Sequence, residues 1–174
     1  MKIFHRMSEA GNMDKQAFVA KYGAVFEHSP WVAEAVFQSN AEWLNDAEYL
    51  KSRFESAFLS STPDRQLETL KSHPQLACAL ADPSELTTGS LNEQTGAGLD
   101  RCSAEELKEF NRLNADYLEK FGFPFIVAVR GLSRNDILDV FRRRLHNDIQ
   151  QEFRTALQET CRIARFRIGD TVDA

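Results

Sequence analysis

The sequence has few of the features that mark disulfide-rich, secreted or membrane-spanning proteins. Its three cysteines, Cys78, Cys102 and Cys161, are odd in number and too far apart to form a Cys-x-x-Cys pair, which argues against a disulfide framework or a zinc knuckle and indicates a reducing compartment. No apolar run approaches the roughly 18 to 20 residues of a membrane span, and residues 1–11 lack the apolar stretch of a secretory signal. We therefore expect a cytoplasmic protein that does not bind a membrane.

The chain also lacks an excess of basic residues. The net charge is −5, and acidic and basic residues are interleaved, so the positive field of a nucleic-acid-binding protein is missing. The nearest approach to a basic patch is the run Arg142–Arg144, which we interpret as a solvated helix face in preference to a partner contact. Four dispersed histidines form no i, i+4 pair and no His-Glu-x-x-His motif, so no metal site is predicted.

What the chain does have is apolar residues at helical spacing almost throughout. Phe18, Tyr22, Val25 and Phe26 predict a first helix that ends near His28. Further helices are predicted to start at residues that favour helix N-termini: Ser29-Pro30, Asp46, Thr62-Pro63, Ser103, Ser133 and Asn147. The predicted fold is an all-α, single-domain helical bundle over residues 14–170, preceded by a flexible N-terminal segment, residues 1–13.

Two stretches depart from this helical pattern. Residues 82–100 contain one proline and three glycines and form the longest candidate for an irregular connection. Residues 123–129 are apolar and lie between the helix-ending Gly122 and Gly131, which favours a buried extended segment.

His73 is the first candidate for chemistry. Pro74 disfavours helical geometry at the residue before it, so His73 is predicted to lie at a helix exit, where an imidazole can exchange protons near neutral pH. The alternative, which a lone histidine in this setting favours, is a core or C-cap residue without a catalytic role.

The segment Ser90-x-x-Glu93 is the second candidate. By itself it is a capping box, in which the Glu93 side chain would bond the N-cap amide and do no chemistry. Gln94 adds an amide donor and acceptor beside the carboxylate, so Glu93 and Gln94 are also suited to a ligand rich in amide-like groups.

Arg167 is the third candidate, because it continues a stripe at steps of three and four residues. An arginine on a buried stripe needs an anion or a buried acid to face it. The structural reading is an internal salt bridge or a side chain that reaches solvent; the functional one is a bidentate clamp on a substrate carboxylate. The stripe consists of Phe153, Ala156, Thr160, Ile163 and Arg167.

Residues 27–31 are predicted to brace a corner between helices, with Glu27 as a supporting acid.

Taken in order, several segments together resemble the family of 2-oxo-4-hydroxy-4-carboxy-5-ureidoimidazoline (OHCU) decarboxylases, over about residues 14 to 170. OHCU is an intermediate of urate breakdown. The segments are Glu-His-Ser-Pro-Trp-Val-Ala at 27–33, His-Pro-Gln-Leu-Ala at 73–77, Ser-Leu-Asn-Glu-Gln-Thr-Gly-Ala-Gly-Leu at 90–99, Leu-Asn-Ala-Asp-Tyr at 113–117, Phe-Gly-Phe-Pro-Phe-Ile at 121–126 and Ile-Ala-Arg-Phe-Arg at 163–167.

The resemblance implies an all-helical homodimer that removes CO₂ from OHCU to give (S)-allantoin without a metal or organic cofactor. It implies that His73 and Glu93 are catalytic. The substrate-binding residues that it implies are Pro74, Ser90, Gln94, Phe125, Ile126 and Arg167. The family's usual Arg-Leu appears here as Arg167-Ile168, which leaves the arginine in place.

Two other functions remain open from the sequence. One is a helical interaction module without catalytic activity, in which Trp31, the arginine run and the long loop bind a protein and Arg167 pairs with Glu93. The other is a related cofactor-free lyase that acts on another ureido or imidazoline substrate, because a fold does not fix its substrate.

Overall fold

The computed structural model describes residues 8–38, 41–77 and 86–173. Over these residues the all-α prediction is confirmed, and the regular structure is helical. The α-helices are α1 (Lys15–Tyr22), α2 (Trp31–Val36), α3 (Ala47–Leu59), α4 (Pro63–Lys71), α5 (Thr88–Gly96), α6 (Ala104–Phe121), α7 (Arg134–Arg144) and α8 (Ile149–Asp173). Short 3₁₀ helices span Ala10–Asn12, Glu42–Asn45 and Leu99–Arg101.

The backbone contacts group the chain into two compact units. The first unit comprises residues 1–69 and 161–174, and the second unit comprises residues 70–160. Each has its own aromatic core: Phe18, Tyr22, Phe26, Phe54 and Phe58 are buried in the first, and Phe110, Tyr117, Phe123, Phe125 and Phe141 in the second.

In the first unit, α1 ends at Tyr22 and not near His28, so the predicted length of this helix is wrong. Gly23 closes α1 by donating its N–H to the Val19 carbonyl at 2.7 Å. Phe26 is nevertheless buried, with its ring 4.7 Å from that of Phe58, because the turns after α1 pack on the same core. The apolar spacing that predicted the helix therefore continues beyond its end at Tyr22.

The start of the chain is also anchored in part. Within the segment expected to be flexible, the Ser8 hydroxyl donates to the Leu44 carbonyl at 2.8 Å, and the Gly11 N–H donates to Asn45 Oδ1 at 2.8 Å. A Cβ at Gly11 would lie 2.2 Å from the Ala41 carbonyl oxygen, so only glycine fits this approach. Residues 1–7 lie outside the described part of the chain.

The predicted helix starts based on local capping are mostly confirmed. Asp46 caps α3, and capping boxes begin α6 at Ser103 and α7 at Ser133. Gly122 ends α6 with φ 76°, the left-handed geometry that glycine adopts at no cost. The helix α2 begins at Trp31, one residue later than predicted, and the Ser29 hydroxyl bonds the Thr69 hydroxyl at 2.8 Å instead of capping.

Candidate active site

His73 lies just beyond α4, in the second unit. Its N–H donates to the Leu70 carbonyl at 3.2 Å, and Pro74 prevents the helix from continuing. Its side chain is almost buried, with 9% of the residue exposed. The prediction of a histidine at a helix exit is confirmed.

Hydrogen bonds from two helices hold the segment that follows His73. Gln94 of α5 donates from Nε2 to the Gln75 carbonyl at 3.3 Å and accepts the Ala77 N–H at 3.0 Å. Asn114 of α6 donates from Nδ2 to the Leu76 carbonyl at 2.9 Å. Side chains of α5 and α6 thus fix the backbone next to the candidate histidine.

The helix α5 replaces nine of the 19 residues of the irregular connection predicted over residues 82–100. Its N-cap is Thr87, whose hydroxyl accepts the Ser90 N–H. Ser90 therefore lies inside the helix, and the capping-box interpretation of Ser90 and Glu93 is wrong. Residues 82–85 of the predicted connection lie outside the described residues.

The helical register of α5 places the candidate side chains on one face. Ser90 and Gln94, four residues apart, are both buried, while Glu93 is half-buried beside them. The Gln94 amide accepts one hydrogen bond at Oε1 and donates one from Nε2 to the segment after His73. Because an amide has two donors and two acceptor lone pairs, these two bonds use one of each. Gln94 thus links α5, the helix that also carries Ser90 and Glu93, to the backbone that follows His73.

Phe125 and Ile126 lie in the buried extended segment that the sequence predicts. Residues 123–129 adopt no helix, because Pro124 and the β-branched residues around it favour extended geometry. The Phe125 ring stacks on Phe141 at a centroid distance of 3.8 Å. At the backbone, the Ile126 carbonyl accepts a hydrogen bond from Arg144 Nη1 at 2.6 Å.

The Arg144 side chain belongs to a buried polar network in the second unit. It binds the Glu152 carboxylate from Nε at 2.9 Å and from Nη2 at 2.6 Å, and Asn147 Nδ2 donates to the other carboxylate oxygen at 2.7 Å. The Tyr117 hydroxyl also donates to Glu152. Burial and this hydrogen bond raise the pKa of Tyr117, so the phenol stays protonated as a donor.

This network corrects the interpretation of the arginine run. Arg142 and Arg143 are exposed, but Arg144 is 5% exposed and faces Glu152, which is 0% exposed. The spacing Ile137, Phe141, Arg144 would have placed Arg144 on the inward stripe of α7, the same signal that singled out Arg167.

Arg167 lies on α8 in the first unit, away in sequence from the other candidates. Its Nη1 is 3.0 Å from Glu27 Oε2, and the two side chains are 10% and 1% exposed. Nη1 also lies 3.4 Å from the carbonyl oxygens of Ala24 and Val25. The buried acid that the sequence required is therefore Glu27, and the hypothesis of a substrate carboxylate at Arg167 stays a prediction.

We expect Glu27→Gln to lower the free energy of unfolding by about 1–2 kcal/mol, because the amide keeps an acceptor but loses the charge that strengthens the bond. The matched control is Glu55→Gln, since Glu55 is 40% exposed and 3.4 Å from Arg165; exposed pairs of this kind are worth about 0–1 kcal/mol. Urea denaturation compares the stabilities of the Glu27→Gln and Glu55→Gln variants. Equal unfolding midpoints would contradict the prediction that the Glu27–Arg167 pair stabilises the fold.

Among the described residues, no group of three or more His, Cys, Asp and Glu side chains has the arrangement that could hold a metal ion. In that same part of the chain, no helix has the length and hydropathy that crossing a membrane requires.

Comparison with known proteins places the sequence of this chain in a family. The sequence model of the OHCU decarboxylases matches residues 11–169. The chain belongs to the OHCU decarboxylase family.

Relatives in this family come from archaea, bacteria and vertebrates. An OHCU decarboxylase of Haloferax volcanii is 35% identical over 164 residues, which cover 94% of each chain. One from Amia calva is also 35% identical, over 95% of this chain and 94% of its own. The uric acid degradation bifunctional protein PucL of Bacillus subtilis is 34% identical over 95% of this chain, which corresponds to 32% of PucL.

Two solved structures with related names have folds similar to that of this chain. The crystal structure of an (S)-allantoin synthase superposes with a TM-score of 0.75 and 28% identity, over 95% of this chain and 53% of that one. A crystal structure of an OHCU decarboxylase in the presence of (S)-allantoin superposes with a TM-score of 0.69 over 93% of this chain and all of its own; at 21% identity this shows the fold alone.

Sequence reasoning missed two parts of this OHCU decarboxylase family member. The bonds of Asn114 to the Leu76 carbonyl and of Tyr117 to the Glu152 carboxylate were not predicted, although both residues lie in the segment 113–117 that carries the family resemblance. Glu152 was also missed. Its position four residues before Ala156, on the buried stripe of α8, was the available signal.

Proposed function

We propose that this protein catalyses the decarboxylation of OHCU to (S)-allantoin in urate degradation, without a metal or organic cofactor. The observation that carries the proposal is the near-buried His73, tied through Gln94 to the helix that bears Glu93, in a member of the OHCU decarboxylase family. Relatives named for this reaction match the chain over nearly its full length.

The chemistry of the substrate fits these residue types. OHCU carries a hydroxyl and a carboxylate on one ring carbon, next to a C=N bond at the carbon that bears the ureido group. When the bond to the carboxylate breaks, CO₂ leaves and the electron pair moves through that C=N bond to the ring nitrogen, which takes up one proton. A second proton then adds to the ureido-bearing carbon, and the hydroxyl becomes a carbonyl as it gives up its proton. Catalysis therefore needs a fixed carboxylate, dispersal of negative charge and protonation on one face.

In this proposal, His73 bonds the hydroxyl or carboxylate and manages the proton, a task suited to an imidazole. Glu93 accepts N–H groups of the ring or ureido group, and the part of the Gln94 amide not used by the His73 segment reads the same groups. Arg167 is assigned to the substrate carboxylate, supported by its guanidinium chemistry.

The remaining assignments concern the walls of the site and the assembly. Pro74 and Ser90 line the pocket, and Phe125 and Ile126 offer backbone groups to the substrate. The Ile126 carbonyl already accepts a hydrogen bond from Arg144. The backbone N–H groups of this segment are therefore the better candidates for hydrogen bonds to the substrate. In this proposal the protein is a homodimer, as the family resemblance implies, and it is cytoplasmic, as we expect from the sequence.

The decisive experiment measures the optical activity of the product. OHCU also decays spontaneously, to racemic allantoin, so circular dichroism of allantoin formed from freshly generated OHCU distinguishes enzyme from background. We expect an excess of the S form and a rate that scales with protein concentration. A racemic product at the background rate would overturn the proposal, and S-selective turnover of a different ureido substrate alone would redirect it to a related lyase.

A further inference from the structure

Two polar side chains of the helix α6 support the two backbone segments of the candidate site in the second unit, Asn114 directly and Tyr117 through other side chains. Asn114 donates to the Leu76 carbonyl at 2.9 Å, three residues after His73. Tyr117 donates to Glu152, which binds the arginine that holds the Ile126 carbonyl. Residues three apart share a helix face, so one face of α6 serves both segments. No catalytic or binding role of the proposed function uses Asn114.

The segment after His73 depends on such support. Pro74 excludes helical continuation, and Ala77 has φ 60°, a left-handed geometry that costs a residue with a Cβ about 1–2 kcal/mol. Residues held in sparsely populated geometry persist only where the surroundings impose it. The side chains that impose it here come from α5 and α6.

The hydrogen bonds hold the segment from two sides. Gln94 of α5 takes the Gln75 carbonyl and the Ala77 N–H, whereas Asn114 of α6 takes the carbonyl of Leu76 between them. The two bonds from Gln94 hold the segment at its ends from the side of α5. The bond from Asn114 holds the carbonyl between them from the side of α6, and so restrains the chain that follows His73.

We propose that Asn114 is a positioning residue, which acts through the Leu76 carbonyl to fix the placement of the His73 imidazole relative to α5. This inference rests on the proposed function, since it assigns Asn114 a part in the decarboxylation. Asparagine suits the task because it is short and supplies an N–H donor, whereas an isosteric aspartate carboxylate has none. Asn114 is 3% exposed, so water cannot readily replace the lost bond.

The test is Asn114→Asp, with Asn114→Ala as a second variant that removes the donor without adding charge. Asn111→Asp, an exposed position on the same helix, controls for the charge change. Leu113→Val, a buried apolar neighbour, controls for loss of stability. All are assayed with OHCU at a temperature below every measured Tm.

We expect both Asn114 variants to lower kcat by about 10- to 100-fold with KM within about twofold, because a misplacement of about 1 Å can cost 100-fold in rate. Amide hydrogen exchange should show faster exchange at Ala77 than in the wild type, with α8 amides unchanged. Leu113→Val should lower Tm while kcat stays within about twofold of the wild type, as expected of a purely structural change.

Folded Asn114 variants with the kcat of Asn111→Asp, or with unchanged exchange at Ala77, would overturn the inference. Failure of both variants to fold would overturn it as well, because Asn114 would then support the whole unit and not the placement of one segment. Absence of wild-type turnover would overturn the proposed function, and the exchange experiment separates that failure because it needs no substrate.

Discussion

His73→Asn is expected to lower kcat for OHCU decarboxylation by about 10²- to 10⁴-fold, the range that a positioned acid–base group contributes. Asparagine keeps a polar side chain of similar length and loses only the ability to exchange a proton near neutral pH. The His73 backbone bond to Leu70 does not depend on the side chain, so we expect the fold and Tm to persist. The product rate, corrected for spontaneous decay, is the measurement.

The matched control for this variant is His146→Asn. His146 is exposed, lies in the second unit between α7 and α8, and has no part in the proposed site. We expect its kcat and KM to equal those of the wild type. Turnover of His73→Asn within about threefold of His146→Asn would remove His73 from the chemistry, since far larger losses accompany deletion of an acid–base catalyst.

Arg144→Met is expected to lower the free energy of unfolding by about 3–5 kcal/mol. The substitution leaves the Glu152 carboxylate, which is 0% exposed, with the neutral donors Tyr117 and Asn147 but no counter-charge. Removing one partner of a buried pair leaves the other charge uncompensated, and losses of this size follow. In a chain of this length the change corresponds to a Tm lower by about 6–20 °C.

Arg143→Met provides the comparison for Arg144→Met, because it makes the same chemical change at the exposed neighbouring position. Surface substitutions of this kind fall within about 0.5 kcal/mol of the wild type. Thermal and urea denaturation of the two variants should therefore differ widely. A double variant, Arg144→Met with Glu152→Leu, should recover part of the loss, because apolar replacement of both partners removes the unpaired charge. Equal stability of the two single variants would contradict the role of the buried network.

The sequence predicts those parts of the fold that depend on neighbouring residues. The capping boxes at Ser103 and Ser133 and the cap at Asp46 are local hydrogen-bonding patterns, so a few residues suffice to recognise them. The extended segment 123–129 follows from the local effects of proline and β-branching. His73 at a helix exit follows from Pro74.

The helix α5 could not be predicted in the same way. It contains Gly89 and Gly96, and glycine lowers helix stability by about 1 kcal/mol relative to alanine. Its stability depends on the burial of Ser90 and Gln94 and on the bonds from Gln94 to the His73 segment, which link residues 17 and 19 positions apart. Tertiary contacts of this kind override local propensity.

The buried ion pairs show the same limit. The spacing of α8 predicts that Arg167 faces an acid, but it does not identify Glu27, which is 140 residues away in the chain. The three residues of the arginine run are chemically identical, yet Arg144 is buried whereas Arg142 and Arg143 are exposed. Only the orientation of α7 on its core separates them.

At position 77 the backbone, and not the side chain, decides which amino acids the chain tolerates. Alanine there is 1% exposed and has a left-handed φ, so β-branched residues are excluded by their shape and larger ones by lack of space. Asparagine and aspartate accept the geometry, but they would bury further polar atoms. Glycine is the one replacement that satisfies both conditions, which makes residue 77 one of the least variable positions that a mutational scan of this protein should find.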